Sequence, residues 1–161
     1  MKQSWVAAIG AGLGLALPLS AQDLGTDETE IDLSDVPPAV MEAARNAIDV
    51  EITYARTERE PGGLTYELDG RTADGLNVEV DLLEDATVEE VERELPAMDD
   101  VPAEIRDALK AEHAGFEVEM IEEVWVNERL LRYEFEGRAG DEARVVVVTA
   151  LGNILEVTEE E

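Results

Sequence analysis

The chain has 161 residues, with 40 acidic side chains against 12 basic ones, a formal charge of −28 at pH 7, no cysteine and a single histidine. That charge excludes a generic nucleic-acid or anionic-membrane surface, because phosphate binding draws on clustered Lys and Arg. The missing cysteines exclude disulfide staples, thiol catalysis and thiolate metal sites, so core packing has to hold the fold.

Residues 1–21 read as a signal peptide. Lys2 supplies a short positive region, Val6 to Leu17 is apolar, and Pro18-Leu19-Ser20-Ala21 places a small residue before Gln22. The apolar run, roughly 12 residues, is short of the ~20 needed to span a bilayer. Cleavage after Ala21 is therefore expected, giving a periplasmic or secreted product with no membrane association. Residues 22–34 are polar and acidic without periodicity and are expected to form a flexible leader. Their carboxylates do not fit the spacing of a calcium EF-hand loop.

A first unit is expected over residues 35–95. Asp35-Val36-Pro37-Pro38 opens a helix, since proline is tolerated in the first turn, and Val40, Met41, Ala44, Ala47 and Ile48 form one apolar stripe. The period then changes to two. Ile52 to Glu58 reads as a strand, and Pro61-Gly62-Gly63 is a turn. The runs Leu64/Tyr66/Leu68 and Leu76/Val78/Val80/Leu82 make a hairpin with one buried face. The opposite face, with Thr65, Glu67, Asp69, Asn77, Glu79 and Asp81, reads as ordinary solvated surface. Val88, Val91 and Leu95, at spacings of three and four, favour a helical connector over a fourth strand.

A second unit over residues 96–161 repeats this order. Asp100-Val101-Pro102 echoes Asp35-Val36-Pro37, and Tyr133-Glu134-Phe135-Glu136-Gly137-Arg138 echoes Tyr66-Glu67-Leu68-Asp69-Gly70-Arg71. Ile105, Ala108 and Leu109 form its helix stripe, Gly115 stops that helix, and strands follow near 116–126, 130–137, 144–149 and 154–157. The fold class expected is α+β: two tandem units, each a helix packed on a three- to four-stranded antiparallel sheet. A unit of about 60 residues buries a marginal core alone, so the two are expected to pack together through their sheet edges.

The second unit's landmarks, Val101-Pro102-Ala103-Glu104-Ile105, Tyr133-Glu134-Phe135 and Leu151-Gly152-Asn153-Ile154-Leu155-Glu156, resemble those of PepSY-like domains. In the first unit the last landmark is degraded, with Asp85 where Gly152 stands. The resemblance implies extracytoplasmic helix-on-sheet units in an arrangement similar to β-lactamase-inhibitor-like proteins. It also implies protein binding, with a peptidase as one partner class and inhibition or regulation as the role. It supplies no catalytic residues.

The residues themselves point away from an enzyme. His113 is the single histidine, and Ser34 is the one serine beyond Ala21, so neither a triad nor a His-pair metal site can be assembled. No cofactor and no metal ligands are assigned. The candidate partner-binding residues are Trp125, Leu130, Arg132, Val146 and Val148, expected on an outer sheet face. In that reading Val145, Val147 and Thr149 face the helix, and Tyr133 and Phe135 turn inward with Leu131, leaving a part-apolar surface of the kind that marks an interface. The alternative function is a divalent-cation or small-ligand binder that uses the acidic surface.

Overall fold

The computed structural model describes residues 28–60 and 62–159. In chain order its elements are β1 (Thr29–Glu30), α1 (Pro38–Ala47), β2 (Glu51–Glu60), β3 (Gly63–Arg71), β4 (Asn77–Leu83) and β5 (Val88–Glu94). A 3-10 turn (Met98–Asp100) then leads to α2 (Ala103–Glu112), β6 (Phe116–Val126), β7 (Arg129–Ala139), β8 (Glu142–Thr149) and β9 (Ile154–Glu159). The expected signal peptide lies outside the described residues.

All nine strands form one antiparallel sheet in sequence order. This overturns the expectation of two tandem helix-on-sheet units, each with its own small sheet: the fold is sheet-dominated and carries two helices of 10 residues each. The junction is the β5–β6 pair, in register at Val91–Trp125, Glu92–Val124, Arg93–Glu123 and Glu94–Glu122. Two four-stranded sheets would each expose a row of unpaired N–H and C=O groups at this boundary, and pairing them satisfies both rows. The leader also takes part, because Thr29 and Glu30 pair with Thr57 and Arg56 as an edge strand and Ile31 packs on the core.

Both helices lie on the same face. Opposed residues of an antiparallel pair share a face, and the chain of partners Val80, Val91, Trp125, Leu130 runs from β4 to β7 on one side. It begins in the cluster under α1, where Val40, Met41 and Ala44 meet Leu68, Val80 and Leu82. It ends in the cluster under α2, where Ile105 and Leu109 meet Tyr133, Phe135, Val146 and Val148. Complete burial of side chains such as Leu68, Leu82 and Phe135 contributes roughly 1.5–3 kcal/mol each.

β-Bulges decide which residues reach that face. Leu82 opposes Val88 while Asp81 opposes Glu90, so Glu89 is an extra residue in β5. Val88 and Val91 consequently share the helix side although they are three apart, which is the spacing that imitates a helix in the sequence. The segment is strand, not the helical connector expected. Leu131 and Leu155 are extra residues in β7 and β9 by the same reading of register.

The two Tyr-Glu phrases continue through their glycines as strand rather than ending there in a turn. Gly70 and Gly137 each sit beside a bulge of the preceding strand, with Thr53 and Glu119 as the extra residues. A Cβ on Gly137 would lie 2.1 Å from the Glu117 carbonyl oxygen, and one on Gly70 would lie 2.5 Å from that of Glu51. Only a residue without a side chain lets the bulged strand approach so closely.

Candidate functional site

The face without helices carries three rows of charged side chains running across the strands. Arg56, Glu67, Asp81 and Glu90 form the first, from β2 to β5. Asp69, Glu79, Glu92, Val124 and Arg132 form the second, from β3 to β7. Glu94, Glu122, Glu134 and Val147 form the third, from β5 to β8.

This face is not the ordinary solvated surface expected of it. Glu67 is 1% exposed, Asp81 and Glu92 8%, Glu122 and Glu134 9%. The acidic side chains of β3 to β7 pack side by side with two arginines across this face, and this closely packed acidic band is the trough.

Two arginines organise the trough. Arg56 donates from Nε to Glu67 Oε2 and from Nη2 to both Glu79 oxygens at 3.2 Å. Arg132 donates from Nε to Glu134 Oε1 at 2.6 Å and from its two Nη atoms to Glu90 at 3.0 and 3.3 Å, with Glu92 Oε1 at 3.9 Å. Burial disfavours the charge on both guanidinium groups, but the facing carboxylates outweigh it and hold them firmly protonated.

The carboxyls outnumber these cations, and burial pushes Glu79, Asp81 and Glu92 well above the usual carboxylate range. Neighbouring acids push the same way: Asp81 and Asp69 on Glu79, Glu67 and Glu90 on Asp81, Glu122 and Glu134 on Glu92. Glu122 is raised to about 8, by burial first and then by Glu136 and Glu134. Three buried carboxylate oxygens of one neighbourhood, Glu67 Oε1, Asp69 Oδ2 and Asp81 Oδ1, accept no hydrogen bond. Each such orphan costs about 1–3 kcal/mol unless something positive meets it. The trough thus gathers acidic oxygens in excess of the cations that face them.

The five residues singled out from the sequence do not share a face. Arg132 is the one that lies in the trough, where it is 5% exposed. Val146 and Val148 are fully buried beneath α2, opposite Phe135 and Tyr133. Val145 and Val147 are the pair on the helix-free side, so the expected orientation of β8 is reversed. Leu130 packs against the α2 cluster, because the extra residue Leu131 flips its side and leaves Leu131 itself 43% exposed.

Trp125 packs against the α1 cluster with Arg93 over its ring at 5.9 Å. It lines a cleft of about 640 Å³ with Ala43, Ala47, Val88, Val91 and Arg93 on the helix side. Sequence reasoning missed Glu67, Glu79, Asp81, Glu92 and Glu122 as a group. Their signal was the excess of acids over bases at alternate positions of β3, β4 and β5, which reads equally well as solvation.

No protein-family model and no curated protein matches the sequence. Solved structures do match the fold. A DUF2874 family protein from Bacteroides uniformis superposes with a TM-score of 0.63 at 17% identity, over 77% of this chain and 89% of that one. A BLIP-like protein from Bacteroides fragilis gives 0.59 at 20% identity, over 77% and 87%. The likeness is one of fold. A Bacteroides eggerthii protein, described provisionally as periplasmic, gives 0.63 at 17% identity over 76% and 88%. The BLIP-like neighbour agrees with the expected likeness to β-lactamase-inhibitor-like proteins, whereas none of these three is described as PepSY. Among the described residues no helix is long and apolar enough to cross a membrane.

Proposed function

We propose that this chain is a non-enzymatic protein-binding module acting outside the cytoplasm, and that it engages its partner through the acidic trough. The observation that carries the reading is the trough itself, a wide sheet face with no helix over it among the described residues, whose charges are held in place by Arg56 and Arg132 before any partner arrives. Charges fixed in advance lose little side-chain freedom on binding, and an acidic face selects and steers a basic partner.

The partner is an extracytoplasmic protein that presents Lys or Arg side chains, and a peptidase regulated by the contact is the specific class this reading favours. The BLIP-like neighbour and the provisional periplasmic description of another support the binding role and the compartment. So does the apolar run at Val6 to Leu17.

The test is affinity capture from an extracytoplasmic extract, with the wild-type protein compared with a Glu122→Gln/Glu134→Gln/Glu136→Gln variant and with Glu42→Gln/Asp107→Asn, changes on exposed helix positions. Proteins retained by the wild type and the helix variant, and lost by the trough variant, support the reading. Equal retention by all three overturns it.

A further inference from the structure

Within the trough, one set of carboxylates is arranged for an ion rather than for a side chain. Glu67, Glu79 and Asp81 each offer an oxygen, and the three oxygens lie within 4.8 Å of one another. A calcium ion holds its oxygen ligands at about 2.3–2.6 Å and accepts flexible geometry, which suits three carboxyl oxygens spaced this way, while magnesium needs about 2.0–2.1 Å and a near-ideal octahedron. We propose that Glu67, Glu79 and Asp81 form a binding site for a hard divalent cation of calcium size.

A second observation points to a ligand independently of the clustering. Asp81 is 8% exposed and Glu67 1% exposed, yet Oδ1 of the first and Oε1 of the second are buried with no hydrogen-bond partner. Asp69 Oδ2, also buried and unpartnered, belongs to the same neighbourhood and pairs across the strands with Glu79. Buried acceptors are nearly always satisfied, and the side chains beside these oxygens are themselves carboxyls, Glu58 at Glu67 and Glu79 at Asp69, so a shared proton or a bound cation has to meet them.

Arg56 does not fill the role. It holds Glu67 by Oε2 and Glu79 by its side-chain oxygens from one side, which orients both carboxylates and leaves Glu67 Oε1 turned elsewhere. Four carboxyl groups, Glu67, Asp69, Glu79 and Asp81, face that single guanidinium, so acidic oxygens are in excess over cations at the site. Its ligands come from the middle strands β3 and β4, where both neighbours are paired and the backbone is held on each side. Calcium sites of few charged ligands in extracellular proteins have dissociation constants on the order of 10⁻⁴–10⁻³ M.

The test is calorimetric titration of the purified protein with calcium chloride in 150 mM sodium chloride, with magnesium chloride as the comparison. The expected result is one calcium per chain and at least tenfold weaker magnesium binding. Asp81→Asn and Glu67→Gln should each weaken calcium binding at least tenfold, and Glu42→Gln should leave it unchanged. Calcium should also raise the thermal midpoint of the wild type and not that of Asp81→Asn, a readout that stands even if the variants differ in stability without the ion. Absence of saturable binding, equal binding of the two ions, or unchanged affinity in Asp81→Asn overturns the proposal. Each of these outcomes is separate from partner capture, so failure of the ion site and failure of the protein-binding reading are distinguishable.

Discussion

Arg132 on β7 reaches over two strand gaps to Glu90 on β5 and grips both of its carboxylate oxygens, Nη1 to Oε2 at 3.0 Å and Nη2 to Oε1 at 3.3 Å. The pair ties together strands on opposite sides of β6, the first strand after α2. It is therefore a clasp across the junction at which the five strands β1 to β5 and the four strands β6 to β9 become one sheet.

Removing the guanidinium takes the shared cation from the buried Glu92 and Glu134 and the part-buried Glu90. Breaking a buried pair from one side typically costs about 3–5 kcal/mol. Arg132→Ala should therefore lower the denaturant midpoint by a corresponding amount at pH 8. The loss should be smaller at pH 5, because carboxyls that can take up protons relieve their own repulsion. Chemical denaturation at the two pH values measures this, and an equal loss at both would contradict it.

Glu122 makes the protein less stable in alkali. Its folded pKa is about 8, raised from 4.5 by burial first and then by Glu136 and Glu134, with Glu94 and Asp69 acting in the same direction. Between those values the folded protein binds a proton that the unfolded chain has released. The stabilisation is complete below pH 4.5 and is lost as pH rises through 8, by up to about 1.4 kcal/mol per pH unit for one such group. The thermal midpoint should rise as pH falls from 8 to 5. Glu122→Gln, which is neutral throughout, should flatten the slope, and an unchanged slope would remove Glu122 as its source.

The glycines beside the bulges admit no side chain. Gly137→Ala would drive a Cβ to 2.1 Å from the Glu117 carbonyl oxygen, and Gly70→Ala to 2.5 Å from that of Glu51. Backbone atoms cannot step aside as a flexible side chain does, so each change should destabilise by about 1–3 kcal/mol or more. Gly62→Ala, with nothing within 4 Å of the new atom, is the reference expected to melt near the wild type. Circular-dichroism melting of the three variants checks the order.

Much of the architecture was legible in the residues. Val40, Met41 and Ala44 at helical spacing, and Val78, Val80 and Leu82 at spacing two, can each bury one side in only one type of element, and both lie in the α1 core. Tyr133 and Phe135 also turn inward as their alternation requires. The candidate site was harder to see. Val146 and Val148 stand in an unbroken run of four valines, Val145 to Val148, which has no alternation to say which pair faces the core.

Composition and periodicity determined that this is an acidic chain without cysteine, with the apolar stripes of α1 and α2 helical and the alternating runs of β3 and β4 extended, and a nucleic-acid surface was excluded on charge alone. Only the tertiary structure decided that the strands join in one sheet, that Leu130 faces the α2 core while Arg132 lies in the trough, and that the acids of β3 to β6 are buried. The physical reason is the same in each case. One extra residue in a strand reverses every side chain beyond it, and edge pairing and the packing of one strand's acids on the next are properties of the whole sheet, to which no local pattern is sensitive.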